Sequence, residues 1–531
     1  MTGHATRVAM ALVLLLAGAL YLGRLGDSPI NMTTDEARFA VQAHALAETG
    51  RDIRGNRLPL FFLITDPLIA NHTSVAWWQP QLFYLMAGSF SLLPVSEFSA
   101  RLPIALIALL NVWLIYAVAR RTFSSAWYGV AAALLLALTP AHFIMGRMAT
   151  DYFLPLAFAL AWLLCLLECQ RRDSAGIAVA TGLVLGLGLF SYITSWMVMP
   201  LYLALTYLVL WQSGKSLRFM TLVTAGFALP LLPLAVWLTA NPSMPRDVFA
   251  NYKVSTGLRL IERTSLYWDY FNPSYLFFSG GSNMTWATRQ AGLFPLALAV
   301  LLPIGLWTIV GRHRASLRAL AKPLVPGLKP LWIAGFLLAP LPIIAALPEA
   351  PQYATARHLL AVPFGVLIGV TGLEWLMSSA GRAGQVVAAV LVLSIPVQFV
   401  PFARDYFSDY RLRSAFWSDS MNMRGVVAGV LALDAAVTVP AVYLSDEDLG
   451  EDKVVKWWFY LLATGREDLW RDTRYFSPER TPTSGIARGS VLVVREGSRL
   501  LPSLTASGDW TIVSGVTDVA GTPTATILRR N

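Results

Sequence analysis

Cysteine is nearly absent from this chain: there are two in 531 residues, Cys165 and Cys169, four apart in one apolar run. That setting reads as packing, and offers neither a disulfide framework nor a metal-ligand spacing. Charge is scarce as well, at 14% of residues against 56% hydrophobic ones. No H-E-x-x-H, G-x-S-x-G or Walker pattern occurs, and no glycine-rich phosphate loop, so those motif-borne chemistries drop out. Low-complexity segments and obvious tandem repeats are missing too.

What is present in quantity is apolar sequence. Mean hydropathy is +0.56, and a soluble domain of this length could not hide so much apolar surface. The chain reads as a polytopic α-helical membrane protein. Expected spans are 8–23, 102–119, 127–145, 153–169, 176–191, 195–211, 219–238, 291–310, 331–347, 358–377 and 384–401. Residues 8–23 follow Arg7 and lead into GRLGDSPINM without a small-x-small cleavage site, which reads as an uncleaved signal anchor. The run 81–95, interrupted by Gly88-Ser89 and Pro94, is short for a crossing and reads as a helix lying on the outer surface.

The net charge of +10 would suggest nucleic acid in a soluble protein, but here the basic residues alternate with the apolar runs. Arg7, Arg120-Arg121, Arg171-Arg172, Lys215, Arg218, the run from Arg312 through Lys322 to Lys329, and Arg382 fall on the N-terminal side. The opposite short loops hold single cations such as Arg147 and Arg357. That is a positive-inside pattern with a cytoplasmic N-terminus in the inner (cytoplasmic) membrane and no nucleic-acid partner. Residues 24–101 and 239–290 then become external loops, and 402–531 an external tail. The tail alternates SVLVV, WTIVSGV and TATILRR with the helical VVKWWFYLLATG, so a small periplasmic or extracellular α/β domain is expected after a transmembrane domain over 1–401.

Polar groups gather on the external side at helix ends: Asp35, Glu36 and Arg38; Trp77-Trp78-Gln79; Glu97 and Arg101; Arg147 and Asp151; Tyr192, Thr194 and Trp196; Arg357-His358. Each has a plainer reading. Asp35 and Glu36 fit solvated acids, the arginines interfacial anchors, Asp151 a helix cap, and His72 a loop residue. His358 has no second ligand near it in sequence. Their order along the chain is what sets them apart.

The succession DEARFA, WWQPQLFYL, SEFSARLPIAL and TPAHFIMGRMATD, with ARHLLAVP later, resembles the lipid-linked-sugar glycosyltransferases of the GT-C superfamily. Family 39, which includes protein O-mannosyltransferases and the aminoarabinose transferase of lipid A, is the group it resembles most. The resemblance covers about residues 8–400. It implies a catalytic set of Asp35 as general base, Glu36 as its organiser and Asp151 facing the same cavity. Around these it implies substrate contacts from Arg38, Gln79, Arg101, Arg147, Tyr192, Arg357 and His358, with Glu36 and Arg101 paired to shape the loop. The implied partners are a polyprenyl-phosphate-linked sugar donor and a lipid, glycan or protein acceptor. Two departures stand out. Relatives read E-K-P-P-L or H-P-P-L where this chain has Trp78-Gln79-Pro80-Gln81-Leu82, and a lysine found after the serine in many relatives is missing from FSYITSW. The expected acidic metal ligand is thus replaced by Trp78, leaving a divalent cation an open requirement and no other cofactor assigned.

Elementary chemistry points the same way. A lipid phosphosugar places its reacting bond at the membrane boundary, an acceptor hydroxyl needs a carboxylate to take its proton, and the departing phosphate needs cationic donors. One carboxylate opposite the leaving group implies inversion. A transporter or flippase for a lipid-linked substrate is the alternative. It would place ionisable or helix-breaking residues midway along the spans, whereas these spans have apolar middles. A partner-binding scaffold would leave the ordered motifs unexplained.

Overall fold

The computed structural model describes residues 2–64, 68, 76–251, 259–318, 329–346 and 354–531. The readings of His72 and Lys322 fall outside these residues. The chain divides into two compact units, each discontinuous in sequence. The first comprises Met1–Gly23, Trp77–Leu82 and Ile104–Asp405; the second comprises Arg24–Ala76, Phe83–Pro103 and Tyr406–Asn531.

Among the described residues six helices are long and apolar enough to cross a membrane: Gly3–Leu22, Glu97–Thr122, Asp151–Arg171, Ser195–Gln212, Ala361–Ser379 and Gly381–Phe407. A seventh crossing is available if Leu217–Ala228 and Leu231–Ala240, bent by 40° at their junction, act as one. The remaining expected runs coincide with shorter apolar helices, Ala126–Ala137, Ala175–Gly188, Ala297–Gly311 and Lys329–Ala345. The chain is therefore a multi-pass membrane protein. Besides the bent pair, two expected spans are divided: the run 331–347 into Lys329–Leu338 and Leu341–Ala346, and the run 127–145 into Ala126–Ala137 and Pro140–Met145. Pro140 begins the second because its ring suits a first helical turn but would break an interior one. The helix Gln81–Phe90 has ten residues, a length of about 15 Å, or half the hydrocarbon thickness.

Within the first unit, small residues allow helices to touch. A Cβ on Gly182 would lie 1.9 Å from the Val223 carbonyl oxygen, and one on Gly226 2.1 Å from that of Val179. Helix Ala175–Gly188 therefore meets Leu217–Ala228 backbone to backbone. The same device joins Ala297–Arg318 to Ala361–Ser379, where a Cβ on Gly305 would sit 2.0 Å from the Ile368 oxygen. Lipid supplies no hydrophobic drive between helices, so such close van der Waals approach carries much of their association.

In the second unit the tail builds a mixed five-stranded sheet from β1 (Val442–Ser445), β2 (Thr473–Phe476), β3 (Val491–Arg495), β4 (Trp510–Thr517) and β5 (Pro523–Arg530), in the order β2-β1-β3-β5-β4. β1 runs parallel to β2 and β3, while β5 is antiparallel to β3 and β4. The central β3 is apolar at four successive positions, Val491 to Val494, and all four are buried. That continuous run is what a strand covered on both faces requires. Phe476, Leu492, Leu504, Trp510 and Leu528 form a core on one side. The expected C-terminal α/β domain is present, with VVKWWFYLLA inside the helix Glu451–Ala463.

Gly305→Val should force these two helices apart and cost about 1–3 kcal/mol, as overpacking does. The expected outcome is a lower thermal midpoint and reduced monodisperse yield in detergent, whereas Gly18→Val, in the first helix with open space around it, should leave the helix pair intact.

Candidate active site

The sequence-expected residues fall into both units. Asp35, Glu36, Arg38 and Arg101 belong to the second; Gln79, Arg147, Asp151, Tyr192, Arg357 and His358 belong to the first.

In the second unit the acidic pair opens a helix whose start is encoded locally. Thr33 is the N-cap of Thr34–Thr49: its hydroxyl accepts from the Glu36 N–H at 3.3 Å, and the Glu36 carboxylate accepts from the Thr33 N–H at 2.9 Å. This reciprocal capping satisfies two donors that a helix start leaves open. Both acids lie in the first turn, where the positive end of the helix dipole favours them. Gly50 closes the other end in the left-handed region at φ 66°, its N–H reaching the Leu46 carbonyl.

The two acids then diverge. Glu36 is fully buried and accepts from Arg101 Nε at 2.8 Å and more weakly from its Nη2 at 3.4 Å. Arg101 Nη1 donates to the carbonyls of Leu25 (3.1 Å) and Pro29 (2.8 Å), and Nη2 also to that of Asn31 (3.1 Å). All five N–H groups of Arg101 are thereby engaged by its own unit. They hold the turn before the helix and leave none for a substrate. Asp35 keeps 22% of its side chain exposed and has Arg38 Nη1 at 3.5 Å. Of the pair, Asp35 is the acid that solvent can reach.

The tail braces this segment from beyond position 400. Arg424 donates to the Ile30 carbonyl at 2.9 Å, pairs with Glu97 and lies over the Tyr460 ring. The Tyr460 hydroxyl accepts from the Met32 N–H at 3.3 Å, and burial pushes its phenol well up from the ordinary range. Arg38 Nη2 donates to Asp452 at 3.0 Å, and His44 meets Glu467 at 3.1 Å. Helix Glu451–Ala463 thus packs along the helix that carries Asp35. Lys456, on the same helix and 1% exposed, donates to the Ser418 carbonyl. Its burial lowers the ammonium pKa, against the opposing pull of Asp419.

In the first unit, Asp151 begins a short 3-10 turn, Asp151–Phe153, and is 4% exposed. The helix Thr355–His358 packs on that turn, bringing Arg357 and His358 to the neighbourhood of Asp151. Tyr152 lies edge-on to the rings of Tyr192 and Trp286, at centroid distances of 4.8 and 5.8 Å. His358 is fully buried and its Nδ1 is 3.2 Å from the Tyr275 hydroxyl. Arg147 donates to the carbonyls of Leu20 (2.6 Å) and Tyr21 (2.9 Å), closing the end of the first helix, a contact that matches the usual need of C-terminal carbonyls for cations. Gln79 is 2% exposed, and its amide nitrogen has no hydrogen-bond partner among the described residues. Thr150 Oγ1, next to Asp151, and His358 Nε2 are likewise without one. Buried polar atoms are nearly always satisfied, so such atoms mark where a ligand could complete the bonding.

Sequence reading passed over His142, although it lies in the quoted TPAHFIMGRMATD. The residue is fully buried, with Nδ1 2.6 Å from the Tyr21 hydroxyl. Arg424, Asp452 and Tyr460 were also missed, because a contact across about 400 residues leaves no local pattern. No group of three or more His, Cys, Asp or Glu among the described residues is disposed to hold a metal. Trp78 stands where relatives carry the acid, so the described residues here present no acidic metal-ligand set.

A family model for dolichyl-phosphate-mannose-protein mannosyltransferases matches residues 76–238. No curated protein matches the chain in sequence. Among solved structures, ArnT from Cupriavidus metallidurans bound to undecaprenyl phosphate is 15% identical with a TM-score of 0.55, covering 97% of each chain. The same protein in the apo state is 14% identical with a TM-score of 0.55, covering 98% of each.

Arg101→Met should strand the buried Glu36 charge and cost about 3–5 kcal/mol, read as faster hydrogen exchange over residues 25–40 and a lower thermal midpoint. The double variant Glu36→Gln/Arg101→Met should recover part of that loss. Additive single effects would show that the pair is not coupled. Over residues 76–238 the chain thus matches the dolichyl-phosphate-mannose-protein mannosyltransferase model, and its fold is like that of the ArnT structures.

Proposed function

We propose that the chain is an integral-membrane inverting glycosyltransferase, moving a sugar from a polyprenyl-phosphate donor to an acceptor hydroxyl on the external face of the cytoplasmic membrane. Undecaprenyl phosphate is the proposed carrier. The observation that carries this reading is the division of labour between adjacent acids: Glu36 is buried and committed to Arg101, while Asp35 stays accessible on a braced helix start. The family model's description and the lipid phosphate bound by the ArnT relative support the donor class.

In the proposed reaction Asp35 takes the proton of the acceptor hydroxyl as its oxygen attacks the anomeric carbon. The bond from that carbon to the phosphate oxygen breaks with inversion, and its electron pair leaves on the lipid phosphate. Holding the carboxylate in place before the reaction lowers the barrier without reorganisation at the moment of transfer. Arg38, 3.5 Å from Asp35 and oriented on its far side by Asp452, is the proposed phosphate donor nearest the base. Arg147, Asp151, Tyr192, Arg357, His358 and Gln79 are proposed substrate contacts on the strength of the motif order. Glu36 and Arg101 act through Asp35 as positioning residues.

Asp35→Asn should remove general-base assistance and lower transfer by about 10²–10⁴-fold at unchanged membrane abundance. The measurement is mass spectrometry of glycans and glycolipids from a deletion strain complemented with wild type or variant. A sugar substituent restored by wild type and absent with Asp35→Asn supports the assignment. Full restoration by the variant would overturn it and favour the flippase reading, which needs no base.

A further inference from the structure

The end of the helix bundle marked by Arg121 carries a second feature. Three helices meet there: α1 (Glu97–Thr122) and α2 (Leu154–Arg171) at their C-terminal turns, and α3 (Ala175–Gly188) at its first turn. Between them lies an open cleft of about 400 Å³, with Arg121, Glu168 and Arg172 at its rim and Leu164, Ile177 and Ala180 along its wall.

The rim is a charge comb built on one carboxylate. Glu168 accepts from Arg121 Nε at 2.8 Å, has Arg172 Nε at 3.7 Å and lies 4.0 Å from Arg171 Nη1. One negative charge thus gathers three guanidinium groups and leaves the cluster with a net charge of about +2 by formal count. Arg171 further donates to the Arg121 carbonyl at 2.7 Å, tying the ends of α1 and α2 together. The arginine side chains stay 35%, 50% and 73% exposed for Arg121, Arg171 and Arg172, open to solvent and to a ligand. The wall beneath is aliphatic and belongs to helices of a membrane protein. A Cβ added at Gly176, which also lines the cleft, would meet nothing closer than the Ser174 hydroxyl at 3.8 Å.

We propose that this cleft binds the headgroup of an anionic glycerophospholipid. Arg121 and Arg172 at the rim take the phosphate oxygens, Arg171 adds its charge from beside them, and Leu164, Ile177 and Ala180 lie along the upper part of an acyl chain. Guanidinium forks match phosphate geometry, and basic pockets between transmembrane helices recur as lipid-headgroup sites. The aliphatic wall decides between sources of phosphate: a free anion would gain nothing from it, whereas a lipid fills both halves of the cleft. Glu168 has a role here that a surface ion pair does not explain. It prevents three like charges from splaying apart while leaving a surplus for the ligand. The inference stands independently of the transfer chemistry proposed above.

The test is native mass spectrometry of the full-length protein in detergent, titrated with phosphatidylglycerol, with phosphatidylcholine, and with inorganic phosphate as competitor. Wild type should retain phosphatidylglycerol in preference to phosphatidylcholine. Arg171→Gln/Arg172→Gln, at two exposed positions, should weaken that retention by about 30-fold if each cation contributes the typical surface attraction. Gly176→Leu should weaken it with every charge intact. Equal retention of the two lipids, unchanged binding in the double variant, unchanged binding in Gly176→Leu, or displacement by millimolar inorganic phosphate would each overturn the proposal.

Discussion

The buried ion pair between Glu36 and Arg101 is the interaction on which the candidate site depends. Burying two charges is costly, and their attraction offsets the cost only when geometry is good and every other hydrogen-bonding group is satisfied. Both conditions hold. The Arg101 guanidinium has five N–H groups and five protein contacts, and Glu36 also completes the capping of its own helix. A pair so fully used has one preferred geometry. Its neighbour Asp35 therefore inherits a fixed position while remaining the reachable acid.

A second layer of constraint comes from the far end of the chain. Arg424, Tyr460 and Asp452 contact the backbone of residues 30–32 or the side chain of Arg38. The role of the tail is legible in these contacts: its helix Glu451–Ala463 is a splint for the helix that bears Asp35. The sheet domain supplies the rigidity, since β3 and its neighbours are buried on both faces and the core around Trp510 is filled. Lys456 shows how tightly the splint packs, because even its ammonium is removed from water.

Much of this was readable beforehand, and for identifiable reasons. Apolar runs and their helices coincide because hydropathy needs no tertiary information in lipid. The strands SVLVV, WTIVSGV and TATILRR were recognisable by alternation and β-branched content. Helix lengths were less legible: the run 127–145 is split at Pro140, and four apolar segments form helices shorter than a full crossing. For Arg101 the resemblance implies both a substrate contact and a pairing with Glu36, and the residues alone do not rank the two, since a lone arginine beside a span looks the same whether it serves a ligand or its own backbone. Its five internal contacts come from residues 25–36, and only folding brings them to it.

The sequence by itself determined that the chain is a multi-pass helical membrane protein with a C-terminal sheet domain. It also placed an acidic pair at a helix start, in an order of motifs that resembles GT-C glycosyltransferases. These are local properties, written in hydropathy, periodicity and residue spacing. Tertiary structure decided that every N–H of Arg101 is engaged within its own unit, that the tail braces the loop four hundred residues before it, and that Glu168 gathers three arginines beside an apolar cleft. Such outcomes depend on burial and on contacts between distant segments, which no local pattern encodes.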